Sequence, residues 1–404
     1  MKLSQLELFE NKAVQIEPSS WRKGSPVQES GYLWKGSPIV FEKKKALPRS
    51  GLISVELFCG CGGTSIGLEM AGICCAVGCD LLEPAIQTFR GSHLSAAAIL
   101  GDIREVMPQT IQKLIGERQI DVLVGGFPCQ GFSLNNRKRH DADPRNKLFE
   151  QFVRFAKALR PRAVLAENVS SIRSAEAGGV VNRILDGLSA ALDTEVKAEV
   201  FNAADFGVPQ SRRRMIFMGV QGQPSPIAKV ERTHGEGRLP WVTVWEAIGD
   251  LPRLSSGQFS ERYASDPKND FQRLMRKHSE KALFNHEAPN HPAETIARIG
   301  GTEPGQSMYP AFKQRIRLHR DKLSPTQVSG GIRPQFQFGH PSDARGLTIR
   351  ERARLQSIPD HVHFVGGLVQ GRVQTGNAVP PLMARALGVA LSRALKSQAR
   401  LRRG

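Results

Sequence analysis

A thiol in a tight turn is the first residue whose type and setting could do chemistry. Cys129 stands in Gly125-Gly126-Phe127-Pro128-Cys129-Gln130-Gly131-Phe132-Ser133, directly after the apolar run Val122-Leu123-Val124. The run reads as a buried strand, and the glycines and Pro128 as a turn that holds the backbone rigidly at its end. The ionised thiol is the effective nucleophile, and nearby positive charge favours it. Arg137, Lys138, Arg139, Arg212 and Arg214 could supply that charge. An isolated Pro-Cys is more often an inert buried thiol, so the cysteine alone decides nothing.

Two further segments could complete a site. Glu167-Asn168-Val169 follows the strand-like Ala163-Val164-Leu165-Ala166. That order puts Glu167 at a carboxyl end beside Cys129, where it can donate to or protonate a ring nitrogen. Gln210-Ser211-Arg212-Arg213-Arg214 begins another strand. Alternation places Arg212 and Arg214 on one face, one guanidinium to brace Glu167 and the other to grip a base carbonyl. Taken alone, the arginine triplet describes a solvated basic patch equally well.

A third constellation lies upstream. Phe58-Cys59-Gly60-Cys61-Gly62-Gly63 sits between a predicted strand and helix. Glycines there let the backbone approach a ligand, and the helix start offers free N–H groups. A GxGxxG turn would need a third glycine where Ser65 stands. Asp80 closes the next strand, at the place where an acid takes ribose hydroxyls. Asp102, in Gly101-Asp102-Ile103, could accept from an adenine amino group. Together these positions describe an adenosine site and leave open a dinucleotide or S-adenosylmethionine. Each acid could also be an ordinary strand-end or cap residue.

The elements that must carry these residues alternate. Strands are predicted over 52–58, 76–80, 122–126, 163–167 and 214–220, and helices over 64–71, 83–91 and 148–159. Such alternation predicts an α/β fold, a Rossmann-like, mostly parallel sheet with ligands beyond its carboxyl ends. From about 222 to 344 the sequence is rich in Pro, Gly, His, Arg and Ser and reads as a smaller loop-rich domain. Helical periodicity returns over 348–358 and 381–395. Residues 1–50 read as a flexible basic leader with two Lys-Gly-Ser-Pro repeats.

The chain has 404 residues and a formal net charge of +18. That balance favours a polyanionic partner, because neutralising phosphates releases condensed counterions. Neither an apolar run of membrane-spanning length nor a signal-peptide core is visible. The six cysteines, at 59, 61, 74, 75, 79 and 129, crowd one region instead of spreading as a disulfide framework would. A reducing, cytoplasmic (nucleoid-associated) location is expected. Their spacings make no paired CxxC elements, so no metal site is expected.

Read in order, these segments resemble the DNA cytosine-5 methyltransferase family, from Leu52 to Ala390. Beyond those already quoted, Arg345-Gly-Leu-Thr-Ile-Arg-Glu-Arg-Ala-Arg-Leu-Gln356 and Gly376-Asn377-Ala378-Val379-Pro380-Pro381 carry the likeness. It implies a class I methyltransferase that transfers a methyl group from S-adenosylmethionine to carbon 5 of cytosine in duplex DNA. Cys129 would attack carbon 6 of a flipped-out base, with Glu167 at the ring N3 and amino group. Arg212 and Arg214 would lie near the pyrimidine and the glutamate. The cofactor site maps onto Phe58, Gly60, Gly62, Gly63, Asp80, Leu81, Asp102, Ile103, Pro128, Leu148, Asn377 and Val379. Residues 51–221 and 345–404 would form one discontinuous catalytic domain, and 222–344 the target-recognition domain. The candidate base readers are Arg253, Arg262, Arg273, Arg276, Lys277, Arg315, Arg317 and Arg320. Pro325-Thr326 would support the backbone.

Two positions depart from the family pattern: Asp80, where glutamate is commoner, and Thr375, where isoleucine is. A monomer is expected, and a restriction endonuclease acting on the same site would be its companion. The competing readings are methylation of tRNA, a catalytically dead DNA-binding relative and a nicotinamide-dependent oxidoreductase. The last fails on the missing third glycine.

Overall fold

The computed structural model describes residues 33–128, 148–279, 282–329 and 336–401. Eight strands form one sheet among them: β1 (Ile39–Phe41), β2 (Leu52–Leu57), β3 (Ile73–Asp80), β4 (Ala97–Leu100), β5 (Val122–Gly125), β6 (Ala163–Val169), β7 (Lys197–Asn202) and β8 (Arg213–Val220). Their order is β1-β4-β3-β2-β5-β6-β8-β7. The five strands from β4 to β6 are parallel; β8 runs antiparallel between β6 and β7, and β1 antiparallel on the edge of β4. The expected mostly parallel α/β sheet is present.

A parallel sheet must be covered on both faces, and β2 shows how the sequence arranges this. Ile53, Val55 and Leu57 point to one face, where they pack with Phe152, Phe155, Ile184 and Leu188 from the helices Leu148–Leu159 and Gly179–Leu192. Ser54 and Glu56 alternate to the other face. There the helices Gly63–Met70 and Pro381–Leu401 pack closely, because Gly63, Gly67 and Gly388 carry no side chain. A Cβ at Gly63 would lie 2.4 Å from the Val379 carbonyl oxygen, and one at Gly67 2.3 Å from that of Pro381.

The stretch 222–344 is loop-rich as expected, with short helices at Val244–Ile248, Asp270–Arg276 and Ala293–Gly301. Ile299, Met308 and Phe336 form a small cluster of their own, but most of the stretch's apolar core is shared. Val244, Phe271, Met275 and Leu318 join the same cluster as Leu165, Met218 and Leu391.

The reading of 1–50 as a flexible leader is corrected for its described part. Ile39–Phe41 pairs with β4 in the register Ile39↔Leu100, and the Arg90 guanidinium lies 4.0 Å from the centre of the buried Phe41 ring. Three apolar residues after a proline give little local signal; the open edge of β4 supplies the pairing that makes them a strand. Polar β7 was likewise missed, because only its ladder with β8 reveals it. Residues 1–32 lie outside the described residues.

Candidate active site

Cys129 and Arg137–Arg139 lie outside the described residues, but the turn leading to the cysteine is described as far as Pro128. β5 ends at Gly125, where a Cβ would meet the Phe152 ring at 2.7 Å. The Asn168 side-chain amide then donates to the Phe127 carbonyl at 3.0 Å. Asn168 is buried at the end of β6, so it ties the residues before Pro128 to the neighbouring strand. Sequence reasoning gave Asn168 no role of its own. Its adjacency to Glu167 at a strand end was the available signal.

Glu167 projects from the carboxyl end of β6. Its Oε1 accepts from Arg214 Nε at 2.7 Å, and both side chains are largely buried. The register Glu167↔Ile216 and Val169↔Arg214 across β6 and β8 sets this meeting. A Cβ placed on Gly126 would lie 3.4 Å from Glu167 Oε2, so the carboxylate faces the turn that leads to Cys129. Burial pulls the Arg214 pKa down, and Glu167 opposes that pull.

Arg212 and Arg214 share a buried side, with Arg213 exposed between them, as alternation requires. Arg214 takes the expected place beside Glu167, and Arg212 takes another. Arg212 spends both terminal nitrogens on backbone carbonyls, those of Gln327 at 3.1 Å and Gly376 at 2.9 Å. Here it is a brace between two distant segments. The same stretch anchors the strap 324–328: Gln210 Oε1 accepts from the Gln327 N–H at 3.1 Å, and the Thr326 hydroxyl donates to the Ser211 carbonyl at 2.7 Å.

The glycine turn begins with Phe58 at φ 58°, a left-handed conformation that is strained for a residue with a side chain. Gly60 and Gly62 follow at φ 53° and 87°. A Cβ on Gly60 would meet nothing within 4 Å, so this side of the turn is open. Asp80 Oδ2 accepts from the Gly60 N–H and Oδ1 from the Leu82 N–H, both at 2.8 Å. Burial raises the Asp80 pKa, while its backbone partners pull the other way. Below the turn, Glu56 accepts from the Ser65 N–H at 3.1 Å and from its hydroxyl. Burial raises the Glu56 pKa to about 7. Sequence reasoning missed Glu56. Its signal was a lone carboxylate inside an apolar strand.

Asp102 follows β4 and is held by Arg104, which lowers its pKa. The Arg104 side chain is 58% exposed, and an ion pair so open to water costs little to break. Ile103 is buried, and Leu81 and Leu148 are half-buried. Asn377 ends the helix Gly367–Asn377 with its side chain exposed, and the Val379 carbonyl sits against Gly63. The structure therefore brings the described N-terminal, central and C-terminal cofactor candidates to the same ends of the parallel strands. Thr375, the second departure from the family pattern, has a partner: its hydroxyl accepts from Arg352 Nε at 3.2 Å and donates to the Gly371 carbonyl.

Several candidate base readers are occupied internally. Arg276 pairs with buried Asp250 and stacks on Tyr263. Arg315 is buried between Tyr309 and Phe312. Arg317 holds the Gly300 and Thr302 carbonyls. Arg262 and Lys277 are exposed. No group of three or more His, Cys, Asp or Glu suited to a metal ion occurs among the described residues, and none of their helices is long and apolar enough to cross a membrane.

A family model described as C-5 cytosine-specific DNA methylase matches residues 52–393. The chain is 33% identical to the Type II methyltransferase M1.HphI of Haemophilus parahaemolyticus, over 84% of this chain and 86% of that one. It is also 33% identical to M.DdeI of Desulfomicrobium norvegicum, over 84% and 88%. Among solved structures, a prophage-encoded E. coli protein assigned as a DNA modification methyltransferase superposes with a TM-score of 0.72 at 25% identity, covering 85% of this chain and 99% of that one. The S. pombe Dnmt2 methyltransferase shares the fold, with a TM-score of 0.55 at 14% identity, over 86% and 99%.

Proposed function

This chain belongs to the C-5 cytosine-specific DNA methylase family and is a DNA cytosine-5 methyltransferase; from that premise we propose that it works through a covalent Cys129 adduct on a cytosine flipped out of a specific duplex sequence. The family is dependent on S-adenosylmethionine, which supplies an activated methyl group on a sulfonium. The open glycine turn at Gly60 and the Asp80 carboxylate beside it fit an adenosine ligand. Phe58, Gly62, Gly63, Leu81, Asp102, Ile103, Pro128, Leu148, Asn377 and Val379 would complete its holder.

The observation that carries the reading is the Glu167 carboxylate, braced by Arg214 and turned toward the segment entering Cys129. In this scheme the Cys129 thiolate adds to carbon 6 while Glu167, in its acid form, passes a proton to N3, which drives electron density to carbon 5. After carbon 5 gains its methyl group it loses a proton to a base, the carbon 6–sulfur bond breaks to restore the ring double bond and the thiolate, and N3 returns its proton to Glu167. Flipping the base costs a few kcal/mol. Residues 51–221 and 345–404 form the catalytic domain of this reading, and 222–344 the region that reads the duplex.

Incubation with S-adenosylmethionine and duplex DNA carrying 5-fluorocytosine at the target tests it, because fluorine cannot leave as the proton does. A stable protein–DNA adduct mapping to Cys129, and missing in Cys129→Ala, is expected. An adduct elsewhere, or none while ordinary DNA is methylated, overturns the mechanism.

A further inference from the structure

We infer that Trp34 is a positioning residue for the adenine end of the cofactor site. The proposal rests on the reading of Asp80 as the ribose acid, Asp102 as the acceptor for the adenine amino group, and Leu81 and Ile103 as the residues flanking the ring. The segment that carries Trp34 precedes the region matched by the family model, which begins at residue 52.

The argument starts from one peptide unit. The Leu81 carbonyl accepts from the Trp34 N–H at 3.0 Å. The N–H of the same peptide, that of Leu82, donates to Asp80 Oδ1 at 2.8 Å. Asp80 Oδ2 in turn holds the Gly60 N–H. A continuous chain of hydrogen bonds therefore runs from the strap at Trp34, through the loop after β3, to the glycine turn. A peptide held at both its polar ends resists rotation, which fixes the Leu81 backbone, and the Leu82 and Gly60 N–H groups hold the Asp80 carboxylate.

The rest of the strap is built to keep Trp34 in place. The indole N–H donates to the Ser37 carbonyl at 2.9 Å. The ring lies over Gly36, where a Cβ would come within 2.9 Å of it. It packs against the cluster that contains Cys59 of the glycine turn, Phe89 and Leu100. Four residues on, Pro38 presses on Gly101, where a Cβ would approach it to 2.9 Å. Gly101 immediately precedes Asp102 and Ile103. One short segment thus touches both loops of that end, the one after β3 and the one after β4, and β1 fastens it to the sheet edge.

Calorimetric titration of the full-length protein with S-adenosylhomocysteine, joined to steady-state methylation, tests this. Trp34→Ala keeps the backbone N–H but loses the indole bond to Ser37 and the packing that hold it against Leu81, so we expect the dissociation constant and the KM for the methyl donor to rise roughly tenfold. The kcat at saturating donor stays near wild type. Trp34→Phe, which keeps the packing and loses the indole N–H, falls between the two. Leu188→Ala, a core truncation on the helix Gly179–Leu192, serves as a control for general destabilisation. If Trp34→Ala binds as the wild type does, or if Leu188→Ala weakens binding equally, the inference is overturned while the reading of the cofactor site stands. If the wild type itself does not bind, the reading of the site falls and takes the inference with it.

Discussion

Arg214 Nε lies 2.7 Å from Glu167 Oε1, and the two side chains meet across adjacent antiparallel strands in a largely water-free setting. A carboxylate held this way has its direction fixed before any substrate arrives. A planar guanidinium fixes it better than an ammonium point charge does.

Glu167→Gln removes the acid of the proposed mechanism and leaves the shape. We expect single-turnover methyl transfer to fall roughly 10²–10⁴-fold. Arg214→Lys keeps the charge and loses the fork, for a smaller loss of about tenfold. Rapid-quench assays with labelled methyl donor measure both, and a fully active Arg214→Lys would show that the brace is not needed.

Arg212 joins Gln327 to Gly376 through its two terminal nitrogens. Arg212→Met leaves both carbonyls without their charged donor, at roughly 1.5–3 kcal/mol for each bond. The expected result is a lower denaturation midpoint together with faster amide exchange over residues 375–380. A loss of activity with unchanged exchange there would assign Arg212 to the substrate instead.

A methyl group on Gly63 has nowhere to go, since it would stand 2.4 Å from the Val379 carbonyl oxygen. Gly63→Ala should push the helix Gly63–Met70 off the C-terminal segment, costing about 1–3 kcal/mol. Cofactor affinity should drop with it. Gly91→Ala, at a position with nothing within 4 Å, should leave both quantities nearly unchanged. Urea melts and calorimetry compare the two.

Glu56 gives the stability a pH signature. Burial raises its pKa from 4.5 to about 7 in the fold, so the folded chain keeps a proton that the unfolded chain releases above 4.5. The group thus lowers stability progressively as pH rises from about 4.5 to 7, and the loss is constant above that. Glu56→Gln mimics the protonated form and lacks this dependence. Between pH 4.5 and 8 the stability difference should move in favour of the variant by about 3 kcal/mol. Urea midpoints at the two pH values read this out; parallel curves would contradict it.

Much of this was legible because the relevant order is local. Val122–Gly125 and Ala163–Glu167 are short apolar runs that end in turn or polar residues, and such runs announce buried parallel strands. Glu167 at a strand end and the Arg212/Arg214 alternation could be read from spacing alone. What spacing could not give was the choice of partner. That Arg214 takes Glu167 while Arg212 takes two backbone carbonyls follows from the β6–β8 register and the approach of residues 327 and 376. The strand at Ile39–Phe41 was hidden for the same reason, since its stabilising partner lies on β4. β7 had only the apolar pair Val200-Phe201, between charged and polar residues, to announce it.

The packing of Gly63 against Val379 also orders events in the life of the chain. Cys61 and Gln374, whose thiol and carbonyl lie 3.9 Å apart, are 313 positions apart in sequence. During synthesis the sheet can assemble while the glycine turn still lacks its cover, because β2 to β8 are complete by residue 220. The turn gains its C-terminal wall only after residue 379 has left the ribosome. A polypeptide interrupted before then would hold residues 222–344 while the glycine turn lacked its Val379 neighbour. The glycine turn therefore takes its final packing only once nearly the whole chain has been made.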